Sequence, residues 1–361
     1  MKRIAINGFG RIGRAALKVM IEEPSLEVVA INDIMTIDNA AYLLKYDSVY
    51  GKLQQEVKAD GEYLVVGDKR IQYLSERDPS ALPWKKLEVE VVIESTGLFT
   101  KREDAEKHIF AGAKTVLISA PTKSKDTPTI VHGVNQKDGT VSVFSCASCT
   151  TNNVAPVMEI LDRRIGVRKA ILSTVHAYTA SQTLVDAPSR KAPRMGRGGA
   201  VNLIPTTTGA AVATAKALPQ LDGKFDGISI RTPVPVGSIS DITFIAARST
   251  TPEEVNAILL EESQSERYRN ILLVSDEPLV SSDIIQSPYA SIVDAPMTRV
   301  VDGDLVKVLA WYDNEWGFTN QTITQVRSSG TCKRIRVQMP GSPGVLNPGR
   351  SRTAVFRRDL S

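Results

Sequence analysis

Lys2-Arg3-Ile4-Ala5-Ile6-Asn7-Gly8-Phe9-Gly10-Arg11-Ile12-Gly13-Arg14 stands at the head of the chain, and its reading decides the fold of the first half. Residues 2 to 7 have the apolar pattern of a buried strand. Ala15–Ile21 then reads as a helix and Leu26–Ile31 as a second strand. A strand, a crossover helix and a strand imply a right-handed parallel pair. The connecting Gly8-Phe9-Gly10-Arg11-Ile12-Gly13 is G-x-G-x-x-G. Gly8 makes the turn, Gly10 admits a pyrophosphate close to the backbone, and Gly13 lets the helix pack on the strand. Free N–H groups at the helix start suit the phosphates. The pattern alone is also what a tight turn would show. Two facts favour a dinucleotide site: the strand-to-helix context, and Asp33, about 20 residues beyond Gly13. A carboxylate there accepts from ribose hydroxyls and repels a 2′-phosphate, so NAD is the expected cofactor.

Working outward, short apolar runs recur at Val89–Ile93, Thr115–Ile118 and Val141–Phe144, with a helical segment at Arg102–Phe110. They predict an α/β first half, a Rossmann-type parallel sheet over residues 1–148. After residue 148 the pattern changes. Ala170–Val175, Gly227–Arg231, Asp241–Ala247 and Leu305–Trp311 are strand-like, with helices expected at Asn153–Leu161 and Pro252–Glu262. Longer strands with few crossovers predict an α+β catalytic domain over residues 149–314, built on a mixed or antiparallel sheet. A helix over 315–330 is expected to complete the first domain.

Bulk properties set limits. The 361 residues are 42% hydrophobic and 23% charged, an ordinary globular balance with room for two domains. Three cysteines (Cys146, Cys149, Cys332) do not resemble a secreted disulfide framework. The motif at the amino end leaves no room for a signal peptide, and no apolar run approaches a membrane span. A cytoplasmic location is expected, with no membrane partner and no metal. The net charge of +4 belongs to the carboxyl end, where eight basic residues face one acidic residue between Arg327 and Ser361. Nucleic acid is therefore not an expected partner of the folded body. Residues 331–361 hold Pro340, Pro343 and Pro348 with repeated glycines and predict a disordered basic tail.

The second informative stretch is Ser145-Cys146-Ala147-Ser148-Cys149-Thr150-Thr151-Asn152, between a strand and a helix starting near Cys149. A thiol at a helix start feels the positive end of the dipole, which favours thiolate. A buried structural cysteine is the bland reading. The polar run around Cys149 favours a nucleophile.

With these segments the chain resembles phosphorylating glyceraldehyde-3-phosphate dehydrogenases. The resemblance is carried in order by Ile6–Arg14, Leu43–Ser48, Ala147–Asn152, Thr174-Val175-His176-Ala177-Tyr178-Thr179, Ile204–Ala211 and Trp311–Gly317, and covers roughly residues 2 to 326. It implies oxidation of glyceraldehyde 3-phosphate to 1,3-bisphosphoglycerate by NAD and inorganic phosphate, through a cysteine hemithioacetal and thioester. Cys149 is then the nucleophile. His176 is the general base, holding the thiolate as an ion pair, and its side chain and the Cys149 N–H hold the oxyanion. Thr179 and Arg231 hold the substrate phosphate. Ser148, Thr208 and Gly209 hold the attacking phosphate, with Thr150 near both. Gly8, Gly10, Arg11, Ile12, Gly13, Asp33, Arg77, Thr96, Phe99 and Ser119 line the cofactor, and Asn314 holds its carboxamide. The resemblance also implies a homotetramer, with Tyr178–Ala200 at subunit contacts.

Three departures stand out. The family usually has Asn at 146 and Cys at 153, where this chain has Cys146 and Asn153. The resulting C-x-x-C is a spacing that can support a disulfide, by which Cys146 would resolve an oxidised Cys149; neutral drift is the bland reading. The family usually carries Arg where this chain has Met195, which a nearby Arg194 or Arg197 would have to replace. The family also ends in an apolar helix, whereas this chain turns basic at Arg327. Ala187, where NAD-specific members carry Leu, implies NAD preferred with some NADP use. Two alternatives remain. One is an erythrose-4-phosphate dehydrogenase, disfavoured by Tyr178-Thr179 and Thr208–Ala211. The other is a non-catalytic nucleic-acid-binding relative, disfavoured by intact Cys149, His176 and Arg231.

Overall fold

The computed structural model describes residues 1–135, 141–189 and 192–329. The tail expected over 331–361, and with it Cys332, lies outside the described residues. Strands β1 (Lys2–Asn7) and β2 (Leu26–Asn32) flank helix α1 (Arg11–Ile21), and their pairing is parallel. After α2 (Ile37–Lys45) come the short ladder β3 (Tyr46–Asp47) with β4 (Gly51–Lys52) and the antiparallel run β5 (Val57–Asp60), β6 (Tyr63–Val66) and β7 (Lys69–Leu74). Then β8 (Val91–Glu94), α3 (Arg102–Phe110), β9 (Thr115–Ile118) and β10 (Val143–Ser145) complete the first sheet. Its order is β10-β9-β8-β1-β2-β7-β6-β5. The chain moves to one side of β1 with β2 and to the other with β8. The carboxyl ends of β1 and β8 therefore border the crevice that such sheets offer to ligands.

Ile4, Ile6, Leu17, Met20 and Ile31 are fully buried in one cluster between this sheet and its helices. Each contributes roughly 1.5–3 kcal/mol by leaving water. Two glycines allow this packing. A Cβ on Gly13 would lie 2.1 Å from the Gly8 carbonyl oxygen, and one on Gly8, at φ +95°, would lie 2.6 Å from the Thr96 nitrogen.

Helix α4 (Cys149–Arg164) leads into the second sheet, formed by β11 (Val167–Ala177), β12 (Ile204–Thr207), β13 (Phe225–Thr232), β14 (Ser238–Ala246), β15 (Leu272–Ser275), β16 (Ser291–Asp294), β17 (Arg299–Val301) and β18 (Leu305–Tyr312). Its order is β12-β13-β11-β14-β18-β16-β15, with β17 paired to β18. Strand β11 runs parallel to β13 and antiparallel to β14, so the sheet is mixed. Val154, Val157, Met158 and Leu161 of α4 join Leu172, Ile242 and Val308 of the sheet in one core. Helices α5 (Ala210–Ala217) and α6 (Pro252–Ser263) pack on α4.

Helix α7 (Trp316–Ser328) packs on α1 and places Phe318, Ile323 and Val326 in the core of the first sheet. The Lys2 ammonium donates to the carbonyls of Val326 (2.9 Å) and Arg327 (2.8 Å) and to that of Ser329. A cation is favourable at a helix carboxyl end. Among the described residues, no helix is long and apolar enough to cross a membrane.

Gly13→Ala forces α1 away from β1 and should destabilise the protein by about 1–3 kcal/mol, as overpacking does. Urea unfolding of both proteins measures this. An unchanged midpoint would show that the helix shifts freely.

Candidate active site

Helix α1 starts with Gly10 as its N-cap and no side-chain cap bond, so its first N–H groups remain available. A Cβ on Gly10 would meet nothing within 4 Å. The loop is tight at Gly8 and Gly13 and open at Gly10, the shape that admits a pyrophosphate. Asp33, just past β2, accepts from the Phe9 N–H (2.5 Å) and the Met35 N–H (2.9 Å), so its carboxylate is fixed against the loop. Thr96 lies past β8 and Ser119 past β9. Glu94 joins them: its carboxylate accepts from the Thr96 N–H (2.9 Å), and its carbonyl from the Ser119 hydroxyl (3.0 Å). Ile12 packs at the margin of the core, Phe99 is half-buried, and Arg77 is exposed beyond β7. The expected cofactor residues thus follow the carboxyl ends of neighbouring parallel strands, and the loop's shape fits NAD. Arg11 starts α1 directly after Gly10, and carboxylates hold its guanidinium.

Glu94 had not been singled out in the sequence. It is buried and also accepts from the Asn7 amide (2.6 Å), while the Trp84 indole N–H donates to His108 Nδ1 (2.9 Å) and His108 Nε2 lies 3.2 Å from Glu94 Oε2. No local pattern in the sequence reports such a network.

The reactive end lies on the second sheet. Register places Arg231 beside His176, and Ser238 beside Tyr312. The next row inward holds Ser229, Thr174 and Ser240, and the following one Gly227, Leu172, Ile242 and Val308. The helix-facing side of the sheet therefore runs from polar at the crevice to apolar in the core. Helix α4 brings Cys149 to the polar end. The Ser148 hydroxyl caps that helix by accepting from the Thr151 N–H (3.1 Å). Cys149 Sγ lies 3.5 Å from His176 Nε2. Tyr312, whose role the sequence did not reveal, shares hydrogen bonds with the hydroxyls of Thr150 (2.8 Å) and Thr174 (2.9 Å) and sets its ring edge-on to His176.

His176 Nδ1 lies 2.7 Å from the Ala177 carbonyl and 2.6 Å from Arg231 Nη1. A guanidinium can only donate. Arg231 Nη1 also donates to the Ala177 carbonyl (3.1 Å), so guanidinium, ring nitrogen and carbonyl form one cluster. Burial and the Arg231 charge take His176 down to about 3. Burial also pushes the Cys149 thiol up, against the opposing pull of Arg231 and Thr150. Arg231 is thus a cation beside both His176 and Cys149.

The remaining residues sit on surrounding loops. The Thr179 hydroxyl pairs with that of Ser181 (2.9 Å), and the Thr208 hydroxyl accepts from the Ala210 N–H (3.1 Å) at the start of α5. Gly209 opens on free space. The Asn314 amide oxygen accepts from the Gly237 N–H (3.2 Å) and the Ser238 hydroxyl (3.0 Å), which leaves its NH2 to donate elsewhere. Met195 is buried in a short turn that packs on β12, and Arg197 is held by Asp186 at 2.7 Å. Arg197 is therefore not free to replace a guanidinium at 195, whereas Arg194 is exposed.

The Cys146–Cys149 disulfide weighed above is not formed in this structure. Both thiols are free. Cys146 is fully buried and donates to the Ile118 carbonyl (3.3 Å), beside the Thr322 hydroxyl of α7 (3.5 Å). Burial pushes its thiol up to about 12, so it supplies no thiolate. Its side chain enters the core of the first sheet, while Cys149 faces His176.

Comparison with known proteins agrees with this geometry. Residues 2–102 match the model of the glyceraldehyde 3-phosphate dehydrogenase NAD binding domain, and residues 148–314 that of the C-terminal domain. The chain is 48% identical over 325 residues to glyceraldehyde-3-phosphate dehydrogenase 2 of Streptomyces avermitilis, covering 89% of this chain and 96% of that protein. It is 47% identical over 324 residues to the glyceraldehyde-3-phosphate dehydrogenase of Geobacillus stearothermophilus, with the same coverage. Identity to glyceraldehyde-3-phosphate dehydrogenase 1 of Bacillus subtilis is 46% over 324 residues.

Peroxide treatment followed by a thiol reductant should restore native protein and Cys146→Asn to the same extent. Mass spectrometry should find no link between residues 146 and 149. Better recovery of the native protein, with such a link, would show that Cys146 leaves its core site.

Proposed function

This chain belongs to the glyceraldehyde-3-phosphate dehydrogenase family, and we propose that its Cys149 site oxidises glyceraldehyde 3-phosphate to 1,3-bisphosphoglycerate with NAD and inorganic phosphate. The observation that carries this reading is the Cys149 thiol 3.5 Å from His176 Nε2 at the start of α4. Arg231 Nη1 lies 2.6 Å from His176 Nδ1. A substrate phosphate draws the guanidinium to itself, with Thr179 alongside. Nδ1 can then carry a proton and donate to the Ala177 carbonyl, which turns Nε2 into an acceptor. Nε2 takes the thiol proton as sulfur attacks the aldehyde carbon. The resulting imidazolium protonates the hemithioacetal oxyanion, which the Cys149 N–H also faces. His176 then removes that proton as C1 is oxidised. NAD, when bound, supplies the hydride acceptor. Inorganic phosphate, held by Ser148, Thr150, Thr208 and Gly209, attacks the thioester carbonyl, and the Cys149 thiolate leaves.

Gly8, Gly10, Gly13, Asp33, Thr96 and Ser119 hold the cofactor, with Arg11, Ile12, Arg77 and Phe99 around it and Asn314 at the carboxamide. Asp33 favours NAD over NADP, with some NADP use at Ala187. Residues 1–148 with 315–330 form the NAD-binding domain, and 149–314 the catalytic domain. A homotetramer accounts for the exposed apolar side chains of Ile171, Leu184, Val185, Val201, Leu203 and Ile228. A cytoplasmic location fits this chemistry.

NADH formation with glyceraldehyde 3-phosphate, with and without inorganic phosphate, tests the reading. Activity should require phosphate and exceed that with erythrose 4-phosphate. Cys149→Ser should abolish turnover and leave NAD binding near normal, and His176→Asn should slow acylation roughly 10²–10⁴-fold. A Cys149→Ser protein that still turns over would remove Cys149 from the reaction. Met195→Arg should lower the KM for inorganic phosphate, since a charge-assisted hydrogen bond is worth about 1.5–3 kcal/mol. No change would assign that position to Arg194.

A further inference from the structure

Asn314 stands between two carboxylates, and each is tied to the first sheet's side of the crevice. Asp313 is buried. It accepts from the N–H groups of Glu315 (2.9 Å), Trp316 (2.8 Å) and Gln286 (2.9 Å), and from the Tyr50 hydroxyl at 2.9 and 3.1 Å. Glu315 receives Arg11: Nε lies 2.9 Å from both carboxylate oxygens, and Nη2 lies 2.5 Å from one. Arg11 Nη1 reaches Asp47 at 2.9 Å, and Lys18 reaches the same carboxylate at 3.2 Å. The side chains of Glu315 and Asp47 are 14% and 3% exposed, so solvent screens these pairs little. The Arg11 ring of partners includes the Tyr50 face, 5.3 Å from the guanidinium carbon.

Arg11 is also the first residue of α1, directly after Gly10, whose open side admits the pyrophosphate. The residue that starts the phosphate-binding helix thus carries a guanidinium locked to the neighbour of Asn314. All three guanidinium nitrogens face carboxylates, so the side chain is not offered to a phosphate. We propose that Arg11 and Glu315 are positioning residues for the nicotinamide end of the cofactor, fixing the reach between the start of α1 and the Asn314 amide. The proposal rests on the NAD-dependent reading above. A dinucleotide held at both ends gains affinity when the two anchors are already at the right separation, because less ordering is left to the binding step. Loosening the ion pair frees the Asn314 anchor and leaves the Gly-rich loop intact, so the nicotinamide end suffers alone.

Calorimetric titration with NAD and with ADP-ribose, which lacks the nicotinamide, distinguishes the two ends. For Glu315→Gln the Kd for NAD should rise about tenfold, within the usual range of coupling between sites, with the Kd for ADP-ribose unchanged. The kcat should fall, with the KM for glyceraldehyde 3-phosphate unchanged. Glu315→Asp, which keeps the charge, should recover part of the loss. Equal weakening of NAD and ADP-ribose would overturn the proposal, because it would place Arg11 at the phosphates or assign the pair a merely structural role. No weakening of either would overturn it as well. If Glu315→Gln shows no cooperative unfolding transition, Arg11→Lys carries the same comparison, since it keeps the charge and loses the fork. Native protein that fails to bind NAD would instead sink the cofactor reading, before any variant is made.

Discussion

The turn from Cys146 to Cys149 is the constraint on which the rest of the site depends. Strand β10 ends the first sheet at Ser145, and α4, the central helix of the second core, begins at Cys149. Three residues make this change of direction, and Ala147 takes φ +63°, which non-glycine residues seldom adopt. Such a conformation persists only when its surroundings hold it. Here the Asn152 amide donates to the carbonyls of Cys146 (2.7 Å) and Ser148 (2.9 Å), the Ala147 N–H donates to the Ser145 hydroxyl (3.0 Å), and Ser148 caps the helix. Cys149 sits where two rigid elements meet, so its position is set by both cores.

The second sheet supplies the partners through register. One row carries Arg231, His176, Ser238 and Tyr312, and rows further in become apolar. Burial strengthens every electrostatic effect at that polar end, and the Arg231 guanidinium lies 2.6 Å from the His176 ring. An anion that competes for Arg231 therefore changes the histidine as well. The same economy of parts appears at the other end, where one arginine serves α1 with its backbone and the Asn314 segment with its side chain.

Much of this was legible in the sequence because it is local. The Gly-rich turn, the strand before it and the helix after it, the strand at Thr115–Ile118 and the helix at Arg102–Phe110 follow from periodicity and glycine positions, and the structure places them there. The helix whose apolar run starts at Asn153 begins at Cys149, as the polar run there suggested, because a serine cap rather than the apolar run sets its start. The antiparallel run β5–β7 was not expected, although Gly61 and Gly67, both at positive φ, mark its two turns. Its strands are short, with charged residues among the apolar ones. Helix α5 was hidden by its alanines, which give no amphipathic stripe to read.

By itself, the sequence determined the family, and it pointed to Cys149, to the turn Gly8–Gly13 and to Asp33, since each belongs to a short motif or lies at a fixed spacing from one. Only the tertiary structure decided that Cys146 is buried and bonded away from Cys149, that Arg231 sits on His176 Nδ1, that Tyr312 joins Thr150 to Thr174, and that Arg11 reaches Glu315. These partners are far apart in sequence. Strand register, together with the burial that drives most polar atoms to find a partner, brings them together, and neither quantity exists until the chain has folded.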